Sequence, residues 1–310
     1  FYRKVFLMLY DFSCTPQLFT EEALNSDSSN FFFLQMFLKE VNKNGILADL
    51  NNGDWRKQVL QQINSLQPSH KDKLLHLLSN LKDHNLIVGH KKAELKPSSE
   101  EEWIELAKIS DDLEPFFSML SLSKNDKTIS LQSLFESDKW QDERLRTHYI
   151  IQNEVNLLQE LKPILSYAKK VILIDPYFDT IRPKYRATLN IVAQELRSQR
   201  GNAQKGTIEI HTRFKYGETD GHKFKSSWER SSKEIFQKYG HICRLYQWDK
   251  TDSWHDRYII TDQCGVHVGA GLDVREEGKS TWAKLEYSTL SDIVKDFREN
   301  SSSYELKLSL

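Results

Sequence analysis

The stretch Trp254–Asp273, WHDRYIITDQCGVHVGAGLD, decides the fold of the C-terminal part of the chain. It opens with a charged tripeptide, and two β-branched segments, 258–261 and 266–268, follow on either side of a turn that ends in glycine. Two short strands joined by such a turn are typical of a β-hairpin. The sequence therefore predicts a hairpin with charged residues at its open end and small residues, 269–271, after it.

The charged end of this hairpin suits chemistry on a phosphodiester. Because side chains alternate between the two faces of a strand, His255, Arg257 and Ile259 are expected to point to one side. An imidazole can then act as nucleophile or acid beside a fixed cation that holds phosphate oxygens. The small residues 269–271 let the backbone pass close to a bound group. An ordinary hairpin with a structural histidine is the alternative that the residues alone leave open.

The spacing of these residues resembles the signature of the phospholipase D superfamily, H-x-K-x4-D-x6-G-S-x-x-N. Its six positions fall at matched spacing on His255, Arg257, Asp262, Gly269, Ala270 and Asp273. Three residue types differ from the signature. Arginine in place of lysine still binds phosphate, alanine in place of serine removes a hydroxyl, and aspartate in place of asparagine adds a negative charge near an anion site.

The resemblance implies a metal-independent phosphodiesterase that needs no cofactor. In that family the first histidine, here His255, attacks phosphorus and forms a covalent phosphohistidine. Arg257 would hold the phosphate oxygens, and Asp262 would orient the strand end. A second histidine protonates the leaving oxygen, and the family obtains it from a second module or from a second subunit. Since the chain has one clear signature, we expect a homodimer.

Further substrate-binding residues are expected around the signature. They are Gly269 and Asp273 within it, His211 and Arg213 on the predicted strand 207–214, Tyr177 after the predicted strand 170–175, and Glu286 downstream. The strand residues are candidates because strand ends next to the signature share a cleft. A surface histidine without function fits position 211 equally well. Glu286 is a candidate through the resemblance, since family members often carry a polar active-site residue in that region.

The charge distribution favours a nucleic acid, DNA or RNA, as the substrate. The net charge of the chain is −1, but segment 169–233 carries 14 Lys and Arg against 7 Asp and Glu. The run 222–225, HKFK, with Trp228 after it, suits a nucleic-acid backbone and stacked bases. Single-module members of the superfamily are often nucleases in bacterial restriction or defence systems, and the resemblance implies that context.

The three cysteines and the hydropathy pattern favour a cytoplasmic protein. Cys14, Cys243 and Cys264 form no paired spacing that would suggest disulfides or a zinc site. No apolar run reaches the length of a membrane span, and no signal peptide is visible. Membrane binding is therefore not expected.

Two domains are expected within an α/β chain. Residues 1–135 are predicted to form an α-rich domain, a candidate binding surface for a protein partner, with strands at 3–10 and 86–89. A linker is predicted at 121–138. Residues 136–310 are predicted to form a phospholipase-D-like α/β/α module with a mixed sheet, opening with a helix over 142–169.

A binding module is the alternative to an enzyme. The changes at Ala270 and Asp273 are compatible with a site that no longer turns over and instead holds a phosphoinositide, an anionic membrane or a phosphorylated partner. A lipid phospholipase is less favoured because no exposed apolar helix is predicted that would engage a bilayer.

Overall fold

The computed structural model is an α/β protein made of two compact units. The residues that it describes are 9–27, 29–90, 95–113, 115–122, 126–137, 140, 147–198, 205–213, 221–249, 255–298, 300 and 306–309. The described residues before position 146 form one unit and those after it form the other. None of the helices within these ranges has the length and hydrophobicity that crossing a bilayer requires.

The N-terminal unit is built on a parallel sheet in the order β3-β2-β1-β4-β5. Its strands are β1 (Tyr10–Cys14), β2 (Gly45–Asp49), β3 (Ile87–Gly89), β4 (Ser118–Leu120) and β5 (Thr128–Ile129). Its helices are α1 (Glu21–Ser26), α2 (Asn30–Asn44), α3 (Leu50–Asn64), α4 (Pro68–Asp83), α5 (Glu100–Leu113) and α6 (Leu131–Glu136), and a 3-10 turn spans Pro16–Phe19.

Apolar side chains hold this sheet between its helices. Strand β2 is buried along its whole length, as expected of a strand covered on both faces. Helix α4 packs through one apolar face, with Leu74, Leu78 and Leu81 buried. The ring of Phe12 packs edge-on against Phe37 of α2 at a centroid distance of 5.4 Å. The description "α-rich" thus missed the parallel sheet, although the strand expected at 86–89 is present as β3, and β5 and α6 lie within the predicted linker.

The C-terminal unit carries a mixed sheet in the order β13-β9-β8-β7-β10-β11-β12-β6. The strands are β6 (Thr147–Ile151), β7 (Lys170–Ile174), β8 (Thr207–Arg213), β9 (Ile242–Trp248), β10 (Tyr258–Thr261), β11 (Gly265–Val268), β12 (Lys279–Lys284) and β13 (Leu306–Ser309). The helices are α7 (Glu154–Leu165), α8 (Pro183–Glu195), α9 (Gly221–Tyr239) and α10 (Tyr287–Asp296).

The predicted hairpin is formed by β10 and β11, with Tyr258 opposite His267. Strands β7, β8 and β9 are parallel neighbours, so the crossover helices α8 and α9 lie on one face of the sheet. On the other face, Ile293 and Phe297 from the α10 region pack with Ile174 of β7 and Trp248 of β9. The module therefore has the expected three layers.

The helix predicted over 142–169 is wrong in its first part. Residues 147–151 form the edge strand β6, in which His148 and Ile150 are buried and the residues between them are exposed. The alternation of buried and exposed residues in this short segment is that of a half-buried strand. The segment directly precedes the helical pattern of α7, so the sequence predicts one long helix over both. Strand β12, which separates β11 from β6, was also not predicted.

Candidate active site

Several of the predicted site residues lie close together where strands of the C-terminal sheet begin or end. Strand β10 runs antiparallel to β7, so Tyr258 at its start lies opposite Ile174 at the end of β7. Ile174 is also the neighbour of His211 in β8. The start of β10 and the ends of β7 and β8 therefore share this edge, as expected for a site built from strand ends.

Tyr177 connects the two signature residues at this edge. Its hydroxyl lies 3.5 Å from Nδ1 of His255. The guanidinium groups of Arg257 and Arg213 lie 5.4 and 5.8 Å from the centre of its ring, within the range of cation–π contacts. His255 is exposed, and its Nε2 makes no hydrogen bond to the residues that the structure describes. An imidazole and two cations thus surround one tyrosine at an open surface.

A buried carboxylate, Asp175, fastens the end of β7 to the signature loop. Its Oδ1 accepts a hydrogen bond from the amide of Tyr177 at 2.8 Å, and its Oδ2 accepts one from the amide of Leu272 at 2.9 Å. Nε of Arg257 lies 3.9 Å from Oδ1. Burial raises the pKa of Asp175, although both amides and Arg257 act in the opposite direction.

The second buried carboxylate, Asp273, is clamped between two cations. Nζ of Lys184 lies 2.5 Å from Oδ2, and Arg275 donates from Nε and Nη2 to the two oxygens, each at 2.8 Å. The side chain is 0% exposed. Burial alone would raise the pKa of Asp273, but the hydrogen bonds from Arg275 and Lys184 outweigh it and hold the pKa below its usual value. The aspartate in place of the family's asparagine therefore carries a compensated charge.

The loop 269–273 requires glycine at two positions. The amide of Gly269 donates to the carbonyl of Thr281 at 2.9 Å, and a Cβ there would lie 3.1 Å from that oxygen. Gly271 has φ +93°, and a Cβ there would lie 3.1 Å from Oδ1 of Asp273. At position 270, where the signature has serine, the amide of Ala270 donates to the hydroxyl of Ser280 at 3.1 Å.

Three expected site residues do not contribute to this open surface, and His211 is the first. It is 2% exposed, stacks on Tyr246 and Trp248, and accepts a hydrogen bond from the indole of Trp248 at 3.0 Å. Burial lowers the pKa of His211 to about 3, so the ring is neutral. The strand face that carries it is covered by the α10 region, where Phe297 packs against the ring, so His211 lies away from the open surface.

Asp262 and Glu286 lie at the opposite end of the hairpin. Asp262 lies five positions along the strand from Arg257, a distance of roughly 17 Å. Oδ1 of Asp262 accepts a hydrogen bond from the amide of Lys169 at 2.8 Å, a contact that holds the turn against the start of β7. Glu286 follows Leu285, whose amide bonds to Gly265 in that turn. Because β12 is antiparallel to β11, its end leads away from the site.

Lys184 and Arg275 are the site residues that the sequence did not predict. Arg275 stands two positions after the signature, and a cation next to an unexpected aspartate was the available signal. Lys184 comes from α8, 89 residues away, and nothing in the sequence joins it to Asp273. Of the basic run 222–225, the side chains of 222–224 lie outside the described residues, as do Trp254 and residues 214–220.

A resident metal site is not apparent in the described part of the chain. No group of three or more His, Cys, Asp or Glu side chains there could hold a metal ion. The three cysteines are free thiols, and two of them, Cys14 and Cys264, are buried.

Comparisons with known proteins do not assign a family. No family model matches the chain, and no curated protein matches it. Among solved structures, it is similar to TrmBL2, an archaeal chromatin protein described as having a novel mode of DNA binding. The identity is 14%, the TM-score is 0.30, and the alignment covers 80% of this chain and 82% of that chain. A likeness at this level carries no argument about fold or function.

Proposed function

We propose that the C-terminal unit is a metal-independent phosphodiesterase of the phospholipase D type that cleaves DNA or RNA through His255. The observation that carries the proposal is the group around Tyr177. An exposed imidazole and the Arg257 guanidinium share one tyrosine at an open sheet edge. The matched spacing of the signature and the tight loop 269–273 support the same chemistry.

Each side chain has a separate part in the proposed reaction. Nε2 of His255 attacks phosphorus, and the hydroxyl of Tyr177 holds the ring through Nδ1. Arg257 and Arg213 stabilise the charge on the phosphate oxygens. Four cations and two carboxylates occur among the described residues of the site, so the surplus is positive although Asp273 is ionised.

The leaving oxygen needs a proton that His255 cannot supply once it has attacked. We propose that His255 of a second copy of the chain, related by a twofold axis, donates this proton and later activates water. The bond from phosphorus to the leaving oxygen breaks as the bond to Nε2 forms. Water then displaces the histidine. A homodimer is therefore part of the proposal, as is a reducing, cytoplasmic location that suits the free thiols.

A nucleic acid is favoured as substrate because positive charge surrounds the site. Segment 169–233, with its net charge of +7, supplies β7, β8 and α8, and two of these elements contribute Arg213 and Lys184 to the site. Phosphate backbones are attracted to such surfaces with a strong dependence on salt. The absence of a hydroxyl at Ala270 favours the second candidate, a module that binds an anionic head group without hydrolysis.

Cleavage in excess EDTA tests the proposal. Plasmid DNA and single-stranded RNA would be incubated with the wild type, with His255→Ala and with His76→Ala. His76 is an exposed histidine of α4 in the N-terminal unit, so its variant controls for the loss of a surface histidine away from the site. We expect cleavage by the wild type and the control and a loss of at least a thousandfold in His255→Ala, with a phosphohistidine trapped in the wild type by quenching in alkaline denaturant, in which the N–P bond survives.

The other outcomes separate the alternatives. Salt-dependent binding without cleavage by folded wild-type dimer would replace the enzyme with the binding module. Cleavage that survives in His255→Ala would refute the assignment of the nucleophile. Cleavage at the full rate by protein that sedimentation shows to be monomeric under the assay conditions would refute a site shared between two copies of the chain.

A further inference from the structure

The N-terminal unit contains a cavity of about 370 Å³ at one edge of its sheet. Its lining comes from segments that follow three strands: residues 18–30 after β1, Ser121 and Leu122 after β4, and residues 130–132 after β5. The volume lies within the range of small-molecule sites, about 300 to 1,000 Å³.

The topology of the sheet marks this place as a binding crevice. From β1 the chain builds β2 and β3 on one side, then returns to build β4 and β5 on the other. The strand order therefore reverses between β1 and β4, whose carboxyl ends open on the same edge. Ligands of open parallel sheets bind in the crevice at such a switch point.

The lining excludes a phosphorylated ligand. Leu18, Leu24 and Leu131 are buried and form an apolar floor. Among the described residues that line the cavity, the ionisable one is Glu22, and lysine, arginine and histidine are absent. A phosphate in this place would meet a carboxylate without a compensating cation, which is unfavourable.

The polar side chains present hydrogen-bond acceptors. The amide nitrogen of Asn30 is used within the protein, donating to the carbonyl of Ala23 at 2.9 Å. That of Gln132 donates to Glu136 at 2.8 Å. The amide oxygens of Asn30 and Gln132 and the carboxylate of Glu22 accept no hydrogen bond from the part of the chain that the structure describes.

We propose that this cavity binds a small, unphosphorylated ring compound that carries an amino group. The ring lies on the leucine floor, and the amino N–H groups donate to Glu22, Asn30 or Gln132. The N-terminal unit is then a sensor for such a compound, a role separate from the phosphodiesterase proposed for the C-terminal unit. Neutral compounds, such as nucleosides with an exocyclic amine, and cationic arylalkylamines, such as tyramine, share this chemistry.

Matched pairs of probes test the proposal by calorimetry on the full chain. Guanosine would be compared with inosine, which lacks the 2-amino group, and tyramine with 4-ethylphenol. Guanosine 5′-monophosphate serves as the phosphorylated probe. We expect one amino member to bind at least tenfold more tightly than its partner, and the monophosphate to bind at least tenfold more weakly than guanosine. Glu22→Gln distinguishes the sources, since it weakens tyramine more than guanosine.

Two tryptophan variants of α1 locate the binding. Ser26 lines the cavity, whereas Asn25, the preceding exposed residue, does not. We expect Ser26→Trp to abolish binding by filling the mouth and Asn25→Trp to leave it unchanged, with equal melting temperatures. Amine binding that persists in Ser26→Trp, equal affinity within each pair, tight monophosphate binding that Ser26→Trp removes, or no saturable binding of either amine each overturn the proposal.

Discussion

Replacing Lys184 by methionine is expected to loosen the loop 269–273, and introducing asparagine at position 273, as in the phospholipase D signature, is expected to repair it. Lys184 contributes one of three short contacts to a carboxylate that is 0% exposed. Removing one partner of a fully buried ion pair costs about 3–5 kcal/mol. Because Arg275 remains and Lys184 is 43% exposed, we expect the smaller value of about 2 kcal/mol, near that of one charge-assisted hydrogen bond.

The Asp273→Asn variant alone leaves two cations without their carboxylate, and we expect it to cost a similar amount. The double variant removes a charge from each side, so the effects should not add, and the coupling energy should be about 1–2 kcal/mol. Asp273→Asn with Lys184 intact and Lys184→Met with Asp273 intact complete the cycle.

Amide hydrogen exchange measures the loss of stability at the loop itself. The amide of Leu272 is bonded to Asp175 and should open with the loop. About 2 kcal/mol corresponds to roughly thirtyfold faster exchange for peptides covering 269–275 in each single variant, with much less change in the double variant. Exchange that is additive in the double variant, with coupling below about 0.5 kcal/mol, would refute the charge-compensation argument whether or not the protein cleaves nucleic acid.

Three further predictions concern single residues. Gly271→Ala should destabilise the C-terminal unit by about 1–2 kcal/mol because of its φ of +93°, whereas Gly89→Ala, where a Cβ meets nothing within 4 Å, should be neutral in urea unfolding. Tyr177→Phe keeps the ring and loses the hydroxyl at His255, so cleavage should fall about tenfold with an unchanged melting temperature; an unchanged rate would remove Tyr177 from the mechanism. Since burial lowers the pKa of His211 to about 3, the unfolded chain binds a proton at this residue at higher pH than the folded chain, and stability should fall as the pH drops from about 6.5 towards 3. His211→Leu should flatten this pH dependence of the urea midpoint, and an unaltered slope would contradict the neutral buried ring.

The parts of the fold that the sequence predicted were those with a local signal. The run KVILI of β7 is buried from Val171 to Ile174, and the hairpin carries its own turn chemistry. Strands β6 and β12 lie at one side of the sheet, where short alternating segments resemble parts of helices or loops. Their identity depends on pairing with each other, which is a long-range property.

The residues of the candidate site also fall into those that local sequence predicts and those that depend on tertiary packing. His255, Arg257 and Gly271 lie within one stretch, and their proximity to one another follows from strand geometry. Tyr177 was expected near them because strand ends next to the signature share a cleft. Lys184 could not be predicted, because its contact to Asp273 depends on how α8 packs. The burial of His211 was missed because period-two alternation assigns a face and does not tell which face a later helix, α10, will cover.

The hydrogen bonds that hold residues 271–273 determine when, during synthesis of the chain, the site can form. Its carbonyl and amide groups are bonded to Gln152, Asp175 and Thr188, which lie 119, 97 and 84 residues earlier in the chain. Gly269 also pairs with Thr281 of β12, which is synthesised after it. A nascent chain thus carries its basic segment 169–233 well before it can order the residues around His255. Synthesis itself would separate the proposed attraction to nucleic acid from the proposed capacity to act on it, and the proposed requirement for a second copy would delay that capacity further.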